Sequence, residues 1–380
     1  MGVTWINPTK ITPLIASSWT DVDVSSYVPI GTTGVLLHIE FISDGLEFGA
    51  RKNGSTDDRH IEHYYASHTG FSIGVDENRI LELYVESITD INVYLTGYFD
   101  SCAVFYTNAI NISLNTTGSW TDIDINVNDD AIGAIIEVYN TSYNVNYLYG
   151  LRKNGSTDDR YAYFLGKTTA FIGLDENEIF EGKINNVGVD FYLTGYIKSG
   201  VTFLTNATDL SLSSTGDYND LTALPNDATG GFIECSTPTK YSYALRKNGS
   251  SEDIYRDLIK HEWIAVECDS NQLIEGKIAN TAVDFFLTGY TTVFSQIITP
   301  TGITNITTFG TPTIYINYIF PKGIESTVSF GNINIANVFP TLYKCVTQIT
   351  NRHISTDTTD RNISIFAKQR RIGIEIEVTE

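Results

Sequence analysis

The phrase RKNGSTDDR occupies residues 51–59 and recurs letter for letter at 152–160, and at 246 the chain begins it a third time as RKNGSSEDI. Other landmarks keep step. WTDVDV at Trp19 and WTDIDI at Trp120 precede the first two copies, and YNDL at Tyr218 precedes the third. GVDEN (74–78), GLDEN (173–177) and a worn CDSN (268–271) follow them, and each unit closes on YLTGY (94–98, 192–196) or FLTGY (286–290). Four landmarks in one order, three times over, mark three copies of one unit. A period of 20–50 residues would mean a solenoid, whereas units of about 95 residues are large enough to hold their own cores. The units are placed at 13–106, 107–204 and 205–294, after an N-terminal arm of residues 1–12.

The pattern inside each unit is that of strands. In INVYLTGY, Ile91, Val93 and Leu95 fall on one side and Asn92, Tyr94 and Thr96 on the other; Val189, Phe191 and Leu193, then Val283, Phe285 and Leu287, repeat the alternation. Period two with one apolar face is a strand against a core. GVLLHIEFI (34–42), GAIIEVY (133–139) and RILELYVE (79–86) read the same way, and long helical periodicity is absent. The expected fold is all-β: three tandem antiparallel β-sandwiches, jelly-roll-like, in a rod or lobed arm, followed by a C-terminal segment of short β repeats.

The Asn-Gly pairs Asn53-Gly54, Asn154-Gly155 and Asn248-Gly249 are expected at hairpin tips, as type I′ turns with positive φ at both residues. That leaves the preceding arginines unexplained. Arg51, Arg152 and Arg246 are expected to contact a partner or to pair with an acid of their own unit, with Asp76, Asp175 and Asp269 as the recurring candidates.

Of 380 residues, 42% are apolar and 12% aromatic, enough for packed cores. The net charge of −21, from 45 acidic and 24 basic residues, opposes binding to a phosphate backbone and to anionic membranes. No apolar run approaches a membrane span, and the first residues lack a signal-peptide pattern, so synthesis in the cytoplasm without membrane insertion is expected. Cys102, Cys235, Cys268 and Cys345 show no metal or disulfide spacing. Nine N-x-S/T sequons arise in a chain rich in Asn, Ser and Thr.

After Tyr290 a shorter repeat begins. Pro300, Gly302, Ile303, Phe309 and Gly310 recur 21 residues on as Pro321, Gly323, Ile324, Phe330 and Gly331, in the frame P-x-G-I-x5-F-G. Such short β units (295–340) must stack on neighbours or on another chain, and the closing stretch (341–380) alternates as a strand or hairpin suited to assembly. The P-x-GI-x5-FG tandem resembles short repeats of tailed-phage structural proteins, and the RKNGSTD…VDEN…YLTGY unit resembles a β-domain of phage and virus structural proteins. The resemblance implies a virion component (a fibre, tail, baseplate or capsid-surface part) that associates with itself and other virion proteins and contributes to host attachment. The alternative is an adhesin whose three lectin-like modules bind a host glycan or receptor.

Candidate chemistry is sparse. GFSIG (70–74) fits the nucleophile-elbow pattern, but the second unit reads AFIG there and the setting is β. His60, His63 and His68 invite a metal reading, yet the second unit has Tyr161 and Phe164 at the first two places, so surface or half-buried histidines are expected. Asp57, Asp58, Asp158 and Asp159 are the calcium candidates, without the EF-hand pattern. The reading is of a non-enzymatic chain with no catalytic residue, no resident metal and no cofactor, calcium being the minor alternative.

Overall fold

The computed structural model describes residues 2–292, apart from 64–65, 128–130, 143–144, 146, 165 and 258–259, together with 363–367 and 374–378. The first repeat holds β1 (Val3–Lys10), β2 (Thr20–Asp23), β3 (Gly34–Phe41), β4 (Leu46–Lys52), β5 (Ile61–His63), β6 (His68–Gly74), β7 (Ile80–Val85) and β8 (Ile91–Phe99). The second holds β9 (Ala103–Asn111), β10 (Thr121–Asp124), β11 (Gly133–Asn140), β12 (Tyr147–Lys153), β13 (Ala162–Phe164), β14 (Lys167–Gly173), β15 (Ile179–Ile184) and β16 (Val189–Ile197). The third holds β17 (Val201–Asp209), β18 (Asn219–Asp220), β19 (Ala228–Ser236), β20 (Ser242–Lys247), β21 (Arg256–Asp257), β22 (His261–Glu267), β23 (Ile274–Ile278) and β24 (Asp284–Thr292). There is no helix among the described residues.

Each repeat forms the same two four-stranded antiparallel sheets. In the first repeat their orders are β1-β8-β3-β6 and β2-β7-β4-β5, and the other two repeats copy both. The boundaries differ from those the sequence suggested. Residues 3–10 are no free arm but a strand paired with β8, because the closing strand needs an edge partner. Likewise β9 and β17 start before residues 107 and 205 and pair within the second and third repeats, so the breaks fall between Phe99 and Ala103 and between Ile197 and Val201.

Ile91, Val93 and Leu95 are fully buried, as their alternation requires. They share one core with Leu37 and Ile39 from their own sheet and Phe48, Leu81 and Leu83 from the other, so the two sheets of a repeat face each other across it. Each such side chain contributes about 1.5–3 kcal/mol relative to exposure. The LTGY landmark has a backbone cause: Thr96 is the extra residue of a β-bulge opposite Leu36 and Leu37, and its hydroxyl donates to the Leu36 carbonyl at 3.3 Å. Thr194 and Thr288 do the same with Ile135 and Phe232, each at 3.1 Å. The DEN landmark is a turn in which Asp76 Oδ1 accepts from the backbone of Asn78 and Ile80 while Arg79 takes a left-handed φ of 65°. Glu178 and Gln272 hold the corresponding positions at 62° and 63°.

The three repeats close into a ring rather than a rod. Strands β6, β14 and β22 are mutual neighbours at its centre. Thr69 donates to Thr168 at 3.2 Å, and the Ser72 amide donates to Thr169 at 3.1 Å. At each junction an aromatic ring seats on a glycine: Phe105 on Gly34, Phe203 on Gly133, and Trp5 on Gly230. A cluster including Phe99, Phe105, Phe171, Phe203 and Phe232 fills the space between repeats. Gly70 lies against the third repeat so closely that an added Cβ would meet the Trp263 carbonyl at 2.4 Å. Gly70→Ala must therefore separate two backbones, and a loss of about 1–3 kcal/mol is expected from denaturation midpoints. Gly54→Gln serves as a control, because its Cβ meets nothing and costs only the left-handed strain.

Residues 297–380 form a second unit. Within it β25 (Ile363–Ala367) pairs antiparallel with β26 (Ile374–Val378). Pro300, Gly302, Phe309, Gly310, Pro321, Gly323, Phe330 and Gly331, the assembly candidates, lie outside the described residues.

Candidate functional site

The recurring phrase divides into a half that serves its own repeat and a half that reaches the next. Arg51 forms a fork with Glu82 on β7, at 2.9 and 3.1 Å, and lies 4.2 Å from the centre of the Trp19 ring. Arg152 matches it with Glu181 and Trp120, and Arg246 with Glu275 and Tyr218. The arginine does pair with an acid of its own unit, but with a glutamate directly opposite on the adjacent strand. Asp76, Asp175 and Asp269 instead accept from the Asn53, Asn154 and Asn248 side chains, at 2.8, 2.7 and 3.4 Å. Burial works against the Asp76 charge, but donors from Ile80, Asn53 and Asn78 outweigh it and hold the carboxyl below its usual range.

The turn itself needs a second correction. Ser55 N donates to Lys52 O at 3.0 Å, and positive φ belongs to Gly54 (78°), Gly155 (80°) and Gly249 (79°) alone, not to the asparagines. That is the signature of a type II turn. Nor is it a hairpin tip: β4 next pairs at Ile61, so the turn opens an excursion across residues 53–60.

That excursion crosses to the following repeat. Asp57 accepts the Ala109 amide at 2.8 Å, Ser55 donates to Asn108 at 2.9 Å, and Arg59 donates to Glu137 at 2.6 Å. The second copy repeats every contact: Asp158 with Ala207, Ser156 with Asn206, Arg160 with Glu234 at 2.6 Å. The third copy must meet the first repeat, and both surfaces depart together. Ile254 stands at the arginine position and His38 at the glutamate position. Pro8, which has no N–H, stands at the place of Ala109. The replacement is Arg256 with Glu40 at 2.9 Å, two residues further along both segments, a step that keeps a strand side chain on the same face. The third copy is worn because its neighbour is different.

No protein-family model, curated protein or solved structure matches this chain. Its reading therefore rests on its own geometry.

Behind these pairs lie buried ionisable groups on β6, β14 and β22. Lys167 donates to the Arg59 carbonyl at 2.8 Å and lies 3.4 Å from Glu137; burial pulls its ammonium down to about 8, with Glu137 opposing. At the second junction His261 meets Glu234 at 2.7 Å. At the third, His38 meets His68 at 2.7 Å, and His68 Nε2 donates to the Tyr243 carbonyl at 3.1 Å. Sequence reasoning missed Arg59, Arg160, Glu137, Glu234, Glu40 and Arg256. The available signal was the matched departure of Ile254 and His38 from otherwise repeated positions.

The remaining candidates are dispersed. Ser72 of GFSIG is buried within continuous β6, without the turn an exposed nucleophile needs. His60 stacks on Tyr84, His63 stacks on Phe41, and His68 faces His38, so the three do not converge. His63 and His68 are fully buried rather than at the surface, because β5 and β6 lie under a neighbouring repeat. Asp57 and Asp158 are engaged across junctions, while Asp58 and Asp159 accept from Trp19 and Trp120 at 2.8 and 2.7 Å. Among the described residues no group of three or more His, Cys, Asp or Glu is placed to hold a metal ion. Burial pushes the Cys102 thiol up to about 12 and the Cys268 thiol to about 11, far from nucleophilic thiolates. An open groove of about 720 Å³ lies where the second repeat meets Val201–Phe203 of the third, with Asp124, Lys153, Asp175 and Glu178 on its walls.

Proposed function

We propose that this chain is a non-enzymatic structural component of a virion, whose first 296 residues are a rigid head and whose remaining residues join it to copies of itself or to other virion proteins. In this reading the head is three jelly-roll domains: the order β1-β8-β3-β6 facing β2-β7-β4-β5 is that of eight strands wound as two Greek keys. The observation that carries the reading is where the repeated polar residues are spent. Every charged position of the first copy of the phrase is engaged within its repeat or across a junction: Arg51 with Glu82, Lys52 with the Phe105 carbonyl, Asp57 with Ala109, Asp58 with Trp19, Arg59 with Glu137. Their repetition therefore serves rigidity rather than turnover. A head with three related lobes presents three similar surfaces, which suits a part that works by geometry and attachment.

The test is the solution mass of the full chain beside a 1–296 truncation. A defined oligomer for the full chain and a monomer for the truncation are expected. Two monomers would overturn the assembly reading, and glycan-array binding by the head would then favour an adhesin.

A further inference from the structure

The junctions differ in what they bury. At the position shared by His38, Glu137 and Glu234, and at the one shared by His68, Lys167 and His261, the second and third repeats place carboxylate against cation or imidazole. Only the first repeat places histidine against histidine. Where the second repeat has Phe164, the first has His63, stacked at 4.0 Å on Phe41 and packed on Gly166 of the second repeat. Neither His63 nitrogen has a hydrogen-bond partner among the described residues. The first repeat thus has buried histidine on both of its junctions, and among the described residues the junction between the second and third has only His261, already facing Glu234.

We infer that acidification releases the first repeat from the other two, which stay joined, through protonation of His38, His68 and His63. The proton positions make the case. The Tyr243 carbonyl requires a proton on His68 Nε2, so neutral His68 accepts at Nδ1 from His38 Nε2–H. Another proton makes a buried cation beside a ring that already donates. The groups facing this pair are Glu40 on β3, Tyr94 opposite on β8, Arg256 on β21, and Tyr243 on β20, whose hydroxyl is held by Glu262 of β22. Glu40 offers attraction, but its charge is engaged by Arg256 and by the Asn92 amide at 2.8 Å. His63 faces cationic Lys167, with Glu137 and Arg59 beyond it; Glu47 and Glu62 alternate to the other face of its sheet.

Burial is the largest cause in each case: it takes His38 to about 4 and His63 to about 3, and His68 well below its ordinary range. These folded values lie below the unfolded 6.5, so the unfolded junction binds more protons, and stability is lost as pH falls from about 6.5 toward 4. Each titrating histidine raises the opening constant up to about tenfold per pH unit across that window.

Three amides report the three junctions in the intact chain: Ala109 (bonded to Asp57), Ala207 (bonded to Asp158) and Asp257 (bonded to Ala66 O). Hydrogen exchange, corrected for its intrinsic pH dependence, should show Ala109 and Asp257 losing about tenfold more protection than Ala207 between pH 7 and 5. His38→Glu, which recreates the pairing of Glu234 with His261, should flatten the response at Asp257. His63→Phe, which copies Phe164, should flatten it at Ala109. Equal loss at all three amides, or no loss, overturns the inference in the wild-type chain alone. A differential loss that persists in the substituted chains also overturns it, since the histidines would then not be its cause.

Discussion

Glu137→Ala is expected to destabilise the three-repeat unit by about 3–5 kcal/mol, the cost of removing one partner from a buried charge cluster. The Glu137 side chain is fully buried, with Arg59 at 2.6 Å on one oxygen and Lys167, also fully buried, at 3.4 Å from the other. Arg59 keeps Asp57 at 3.1 Å, whereas Lys167 keeps no carboxylate partner, only the Arg59 carbonyl and the Phe71 ring at 4.9 Å. Lys167, already lowered to about 8, would then lose its proton more readily, so the loss should be smaller above pH 8 than at pH 6. Replacing Arg59, Glu137 and Lys167 together by methionine should recover most of the loss, because the desolvation cost of all three charges disappears. Denaturation midpoints of both chains decide it. A single substitution costing less than the triple would mean that the cluster is well solvated.

Phe171→Ala should cost about 3–5 kcal/mol through the lost contacts and the cavity left behind. Phe171 is 2% exposed and stacks on Phe232 of the third repeat, with ring centres 4.1 Å apart and planes within 8°. Phe99 of the first repeat lies 6.3 Å away on the same cluster, so the truncation loosens all three repeats at once. Phe191→Ala, inside the core of the second repeat, is the comparison. Both should lower the unfolding midpoint, but only Phe171→Ala should reduce exchange protection at Ala109, Ala207 and Asp257 before global unfolding. Equal effects on those amides would mean that the repeats are not coupled through the aromatic cluster.

How much of this was legible beforehand depends on how local each feature is. The alternation in INVYLTGY identified β8 and its inward residues, because period two is a property of one strand. The Asn-Gly pair marked a turn but not its type: Asn53, whose side chain is held by Asp76, keeps a negative φ and only Gly54 takes a positive one. Arg51 was assigned the wrong acid for a related reason. Asp76 and Glu82 are both close in sequence, and only the pairing of β4 with β7 sets Glu82 opposite the arginine. Residues 1–12 looked like an arm because the partner of β1, β8, lies some ninety residues away.

By itself, then, the sequence determined that this chain folds as β-strands in three related units, and which faces of those strands are buried. Backbone geometry ties those properties to neighbouring residues, where periodicity can record them. The tertiary structure alone decided that the units close into a ring, that Arg59 meets Glu137 and Arg160 meets Glu234, and that Arg256 with Glu40 replaces them at the last junction. It also decided that His63 and His68 lie in protein rather than water, with His38 half-buried against His68. Those facts depend on which surface of one repeat covers another. No local pattern carries that information, because the same strand can face solvent or a neighbour without changing its period.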